Sequence, residues 1–225
     1  MGVYAGRTAQ FFRDRGKLKD SIVADYSVIA DVSQTLQKVL TDAYVPLDPA
    51  DPPLAQISDL SGAIPTSPAR MTLFLFEAVE DPSAKNRPPI RPTPPPPPPP
   101  APPNSYYMRK TPLALLLRYL MTPWSSDPMT DHRLVGRTMQ VLYDGAIISG
   151  PQLQGSLQGT NTTLKVTLSP LTLEERARVW YAIEKPYRLS ITYEVRVVNL
   201  DAISTQVVVP VSNRKLGYLG PEATQ

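Results

Sequence analysis

Residues 71–79, Met-Thr-Leu-Phe-Leu-Phe-Glu-Ala-Val, put Met71, Leu73 and Leu75 on one side of an extended chain and Thr72, Phe74 and Phe76 on the other. Side chains alternate between the faces of a strand, so both faces here are largely apolar and the strand needs cover on each side. Residues 113–121, Leu-Ala-Leu-Leu-Leu-Arg-Tyr-Leu-Met, have the same character. Both therefore read as central strands of one sheet.

Between them lies a segment of a different kind. Residues 81–105 hold an unbroken proline run from Pro94 to Pro100. Such a run can join neither a helix nor a sheet ladder and adopts polyproline II, about 3.1 Å per residue and roughly 20 Å in all. It reads as an insertion that leaves the domain and returns, so that the flanking strands can still be neighbours. Its Arg87-Pro88-Pro89-Ile90-Arg91-Pro92 fits the pattern of SH3-type ligands, a match common in any proline-rich tract.

Upstream, Ile22, Tyr26, Ile29, Val32, Leu36, Val39 and Leu40 recur at helical spacing, with Asp25, Asp31, Gln34, Gln37 and Lys38 on the opposite face. This predicts an amphipathic helix ending before Pro46. Residues 45–69 carry six prolines and read as a brief strand near 44–47 followed by irregular chain. Downstream, Asp127 and Pro128 open a second helix with Leu134, Val135, Met139 and Leu142 as its apolar stripe up to Gly145. Residues 150–159 read as a polar loop and residues 163–168 as a half-buried strand. A third helix begins at Thr172, three residues before Glu175, a capping-box spacing.

Residues 188–198 give the clearest alternation, with Leu189, Ile191, Tyr193, Val195 and Val197 on one face and Arg188, Ser190, Thr192, Glu194 and Arg196 on the other, one face core and one exposed. Residues 203–211 are β-branched but broken by Pro210, which suits an edge strand or an arm. The fold class these elements predict is α+β, a mixed sheet with about three helices and a proline-rich insertion.

Composition narrows the function. The chain has 225 residues and 42% hydrophobic content, enough for one domain core with appendages. Its 23 basic and 20 acidic residues leave a net charge of +3, too small a field to imply nucleic-acid binding. Several of the positive charges cluster in the first twenty residues, at Arg7, Arg13, Arg15, Lys17 and Lys19, and read as a solvated basic extension. There is no cysteine, hence no disulfide and no thiolate chemistry. Neither a signal peptide nor a membrane segment is read, so a cytoplasmic protein without direct membrane insertion is expected. The one histidine, His132, sits between Asp131 and Arg133 without a nucleophile elbow, and one histidine makes a poor zinc site. Glu174 and Glu175 fall at a helix start, where the macrodipole accounts for them. No catalytic residue, metal ligand or cofactor site is expected.

The chain also carries ordered phrases that resemble the cap or tail-terminator family of extracellular contractile injection systems, the phage-tail-like particles of antifeeding-prophage and virulence-cassette type. They are Val28-Ile29-Ala30-Asp31-Val32-Ser33, then Leu73-Phe74-Leu75-Phe76 with Glu80-Asp81-Pro82 and Asn86-Arg87-Pro88, then residues 112–124. Asp131-His132-Arg133-Leu134-Val135-Gly136-Arg137 follows, then residues 171–175, Pro186-Tyr187-Arg188-Leu189-Ser190-Ile191 and Tyr193-Glu194-Val195-Arg196-Val197. The resemblance covers roughly residues 26–201. The proline run and the basic extension depart from it, so no role for either is carried over.

The resemblance implies a fold similar to phage tail terminators and a homo-oligomer, a hexameric ring, seated on the last layer of the inner tube protein and the sheath protein. Such a ring ends polymerisation. In this family sheath layers are laced by exchanged β-arms, which makes residues 203–211 a candidate arm with Val207, Val209 and Val211 as its apolar contacts, an intramolecular edge strand being the other reading. The expected organisation is a basic extension at 1–20, a cap domain at 21–200 interrupted by the insertion at 81–105, and a C-terminal arm at 201–225. A proline-rich adaptor binding through residues 87–103 is the alternative.

Overall fold

A computed structural model of the chain describes residues 26–84, 105–109, 111–200 and 205–209. The described residues fall into two compact units, the larger holding 26–84 and 112–200, the smaller 105–109, 111 and 205–209.

The larger unit is built on a six-stranded sheet. Its strands are β1 (Leu54–Ile57), β2 (Arg70–Glu80), β4 (Leu113–Trp124), β5 (Ile147–Ser149), β6 (Thr163–Leu168) and β7 (Ile191–Leu200), in the order β1-β2-β4-β7-β6-β5. β1 and β2 run parallel; all other neighbours are antiparallel. The strands read as central are central. β2 pairs with β4 from Arg70↔Trp124 to Glu80↔Leu115, across a bulge between Leu75 and Glu77, so the proline-rich insertion does join neighbouring strands. Two elements were not legible. β1 and β5 are only four and three residues long, too short to set up a period, and both are edges. No strand forms near 44–47: Tyr44 ends the first helix and Leu47 N donates to its carbonyl in a turn.

The two apolar faces of β2 and β4 explain the layering. On one face Met71, Leu73, Leu117, Tyr119 and Met121 pack with Tyr193 and Val195 of β7 under α1 (Val28–Tyr44) and α2 (Pro128–Asp144). α1 buries Val32, Leu36 and Leu40 of the predicted stripe together with Val28 and Tyr44, while the predicted Ile29 and Val39 are only partly buried, Tyr26 is exposed and Ile22 lies outside the described residues. On the other face Phe74, Phe76, Leu120 and Trp124 form a second core with Trp180, Val179 and Ile183 from α3 (Leu173–Ala182) and with Leu60 and Ile64 from the loop before β2. That second core corrects the reading of residues 188–198 as having one exposed face. Ser190 and Thr192 are buried, and Trp180 Nε1 donates to Ser190 Oγ.

The helix starts follow the sequence closely. Asp127 caps α2 by accepting from Thr130 N at 3.0 Å, and Pro128 follows at the first helical position. Thr172 and Glu175 form a complete capping box on α3. The α2 stripe is rotated from the expected one. Thr138, not Met139, is buried beside Leu134 and Leu142, because its hydroxyl meets Tyr44 Oη at 2.7 Å and donates to the Leu134 carbonyl.

The smaller unit contains β3 (Tyr106–Arg109) and β8 (Thr205–Val208), paired antiparallel from Tyr106↔Val208 to Arg109↔Thr205. Residues 106–109 and 205–208 thus form one two-stranded ribbon.

Candidate functional site: surfaces for assembly

Polar side chains first set which parts of the larger unit are fixed. Asp31, read as a solvent-face residue, is 6% exposed and accepts at Oδ2 from Ser27 Oγ at 3.0 Å, Ser156 N at 3.1 Å and Ser156 Oγ. Gly155 beside it has φ +61, and a Cβ there would stand 2.1 Å from Asp31 Oδ1. One turn on, Thr35 Oγ1 accepts from Gln154 N. The stretch read as a polar loop, residues 150–159, is therefore stapled to α1 in two short 3-10 turns, and Leu153 and Leu157 join the core beneath it. Three glycines in a polar stretch, Gly150, Gly155 and Gly159, were the only signal, and they did not reveal the partner of Gly155.

On the α3 face Arg118 spans three strands, donating to Glu77 of β2 at 2.7 Å and Glu194 of β7 at 3.1 Å. Arg188 lies 4.3 Å from the centre of the Trp124 ring and reaches Asp131 of α2 at 3.3 Å, with Ser125 Oγ on the other carboxylate oxygen. Two of the phrases quoted above, Asp131–Arg137 and Pro186–Ile191, meet in this cluster. Its groups engage one another, which fits a joint between elements better than a reacting site.

His132 is exposed on the first turn of α2, and among the described residues no hydrogen bond joins it to a serine or a carboxylate. Among the same residues no group of three or more His, Asp or Glu side chains converges as a metal cluster, and no helix is long and apolar enough to cross a membrane.

What the larger unit offers outward is apolar. A groove of about 740 Å³ opens between the end of α2 and the β5–β6 end of the sheet, lined by Met139, Tyr143, Ile147, Val166, Leu168 and Tyr193 among others. It lies where β5 begins only at Ile147, opposite Lys165, and one further bond joins Val166 N to the Ala146 carbonyl, so that Thr167 and Leu168 at the end of β6 have no β5 partner. A second, polar recess of about 250 Å³ holds Asp48, Asp51, Ser67 and Arg133. In the smaller unit Val207 and Val209, two of the three candidate arm residues, are half exposed at 49% and 52%. Val207 is paired with Tyr107 inside the ribbon; Val211 lies outside the described residues.

Comparison with known proteins adds to this geometry. The family profile described as the Pvc16 N-terminal domain matches residues 31–214. No curated protein matches the sequence. Among solved structures, the sheath/tube terminator of an extracellular contractile injection system, PVC, in its extended state is similar at 16% identity with a TM-score of 0.51, over 88% of this chain and 65% of that one. The tube-terminating cap of the anti-feeding prophage is similar at 18% identity and a TM-score of 0.52, over 84% and 61%. The chain therefore shares their fold and spans less than two thirds of their length.

Proposed function

The chain belongs to the Pvc16 N-terminal domain family, and from that premise we propose that it is a structural terminator, without enzymatic activity, that closes the end of the inner tube and sheath of a phage-tail-like contractile injection particle. The family match over residues 31–214 carries this reading, and a fold shared with two terminator caps across most of the chain supports it.

The physical logic is that of a polymer tip. A growing helical assembly always exposes an unsatisfied interface, and a closed ring that matches it on one side and offers nothing for the next layer on the other stops addition. A hexameric homo-oligomer seated on tube protein and sheath protein would do this, in a cytoplasmically assembled particle. The reading divides the chain into a basic extension (1–20), a cap domain (21–200, interrupted at 81–105) and an arm (201–225). In the arm, Val207, Val209 and Val211 are the proposed sheath contacts. The β3–β8 ribbon makes that arm a two-stranded one, and a ribbon of four residue pairs is marginal alone in water, so an added strand would stabilise it.

The test is solution mass together with negative-stain microscopy, alone and with the tube and sheath proteins. Rings, or added density at particle ends, are expected. A monomer that ignores both proteins would sink the reading in favour of the proline-rich adaptor.

A further inference from the structure

The two faces of the sheet are covered in different ways. α1 and α2 run close along β1 and β4, whereas α3 runs close along no strand, and of its ten residues only Trp180 is buried. The chain on either side of it is pinned. Ser169 N donates to the Thr192 carbonyl and Ser169 Oγ to Glu194, both at 2.9 Å, while Arg188 is tied to Asp131 and to the Trp124 ring. Between those points, residues 170–187 reach the rest of the larger unit through few polar contacts. Trp180 Nε1 donates to Ser190 Oγ at 3.3 Å, Arg176 to the Ser190 carbonyl at 3.1 Å and Lys185 Nζ to the Gly62 carbonyl at 2.8 Å.

Two further features weaken the closed arrangement. Thr122 follows Leu120 by two residues and Thr192 follows Ser190 by two, so alternation places both hydroxyls on the α3 face. Both residues are buried, and neither hydroxyl has a hydrogen-bond partner among the described residues, nor has Arg176 Nε. Unpartnered buried polar groups carry a desolvation cost that water relieves on opening. The rim also uses unfavourable backbone. Leu60 and Glu184 lie at φ +62 and +55, a region that residues other than glycine seldom adopt, and the Lys185–Gly62 bond joins their two turns.

We propose that residues 170–187 form a hinged lid that lifts between Ser169 and Arg188 while the sheet and the α1–α2 core stay folded. Open, it bares Phe74, Phe76, Leu120 and Trp124 and wets Thr122 and Thr192; closed, Trp180 covers that face again. Local opening draws on the least packed part of a fold, and one buried side chain between two pinned ends meets that description. The lid belongs to the single chain and is independent of the terminator reading.

Hydrogen–deuterium exchange on the full-length protein, without denaturant and corrected for intrinsic rates, reads the opening. Amides of residues 177–185 are expected to exchange as a group, about a hundredfold faster than those of α1. Thr122→Val and Thr192→Val remove the unpartnered hydroxyls with little change of shape, so each should slow that exchange about fivefold and leave α1 unchanged. Gly62→Cys with Lys185→Cys, in a chain that has no other cysteine, can be joined by a short bismaleimide; a Cβ at position 62 meets nothing within 4 Å. The joined protein should exchange at 177–185 at least about tenfold more slowly than the same double variant unjoined. Wild-type exchange at 177–185 as slow as in α1 would overturn the lid. Equal exchange in joined and unjoined protein would replace it with a helix that frays in place, and valine variants that exchange no more slowly than wild type would also count against it.

Discussion

The smallest scale carries the sharpest constraints. Gly155→Ala would place a Cβ on the Asp31 carboxylate and hold a non-glycine residue at φ +61, a conformation that alone costs roughly 1–2 kcal/mol. A loss of at least about 2 kcal/mol in denaturant unfolding is expected, and no loss would mean that the Asp31 staple is not what fixes this loop. Ionisable groups predict a stability profile with two limbs. The Thr130 amide and hydroxyl on Asp127, and the Thr172 amide and hydroxyl on Glu175, hold those carboxyls below the usual carboxylate range. Their folded values lie below the unfolded ones, so their contribution is present above about pH 4 and disappears as pH falls through the folded values. Asp127→Asn keeps a cap oxygen but drops out of this acid limb. At the other end, burial pushes the Tyr119 phenol up to about 12 despite its 2.8 Å bond to Ser33, and burial raises Tyr44 further. A raised folded value gives stability that is intact below about pH 10 and lost from there toward pH 12. Urea midpoints across pH 9–12 should therefore fall steeply in wild type and less so in Tyr119→Phe.

Among elements, α3 covers the second core through a single buried side chain. Trp180 is 1% exposed and anchors the second core against Leu120 and Leu60, so Trp180→Ala should cost roughly 3–5 kcal/mol, measured by chemical unfolding. Tyr181 beside it is 86% exposed, and its replacement by alanine should leave stability within about 0.5 kcal/mol. That contrast also shows how far a sequence can be read. β2 and β4 were legible because two apolar faces repeated over nine residues, α1 because of its period, and α2 and α3 because period and caps agreed. β1 and β5 were not, being too short to establish a period. Nor was the second core, because Ser190 and Thr192 look like surface residues until Trp180 and α3 are placed above them. The same limit governed the candidate site. Valines at 207 and 209 could be named from β-branching together with the family resemblance, but the pairing of Val207 with Tyr107 joins positions a hundred residues apart and has no local signal.

At the scale of the whole molecule the proposed arm and the proposed cap domain can be tested separately. Val207→Lys with Val209→Lys alters two half-exposed side chains of the smaller unit, so the melting temperature should hold while co-sedimentation with sheath falls. Equal sheath binding by this variant would remove Val207 and Val209 from the proposed sheath contacts. Removing residues 87–103 should leave the larger unit folded and, on the terminator reading, still able to end tubes; loss of every partner contact would favour the adaptor. The same insertion bears on how the chain comes together. β2 and β4 form the longest pairing in the sheet, yet residues 81–112 separate them, and closing a loop of that length rather than a four-residue turn costs about 2 kcal/mol more in chain entropy. Since each strand is held by its own neighbours, the backbone need not be continuous between them. A chain opened within 87–103 and rejoined elsewhere, or supplied as two separately expressed halves, is expected to reconstitute the same sheet.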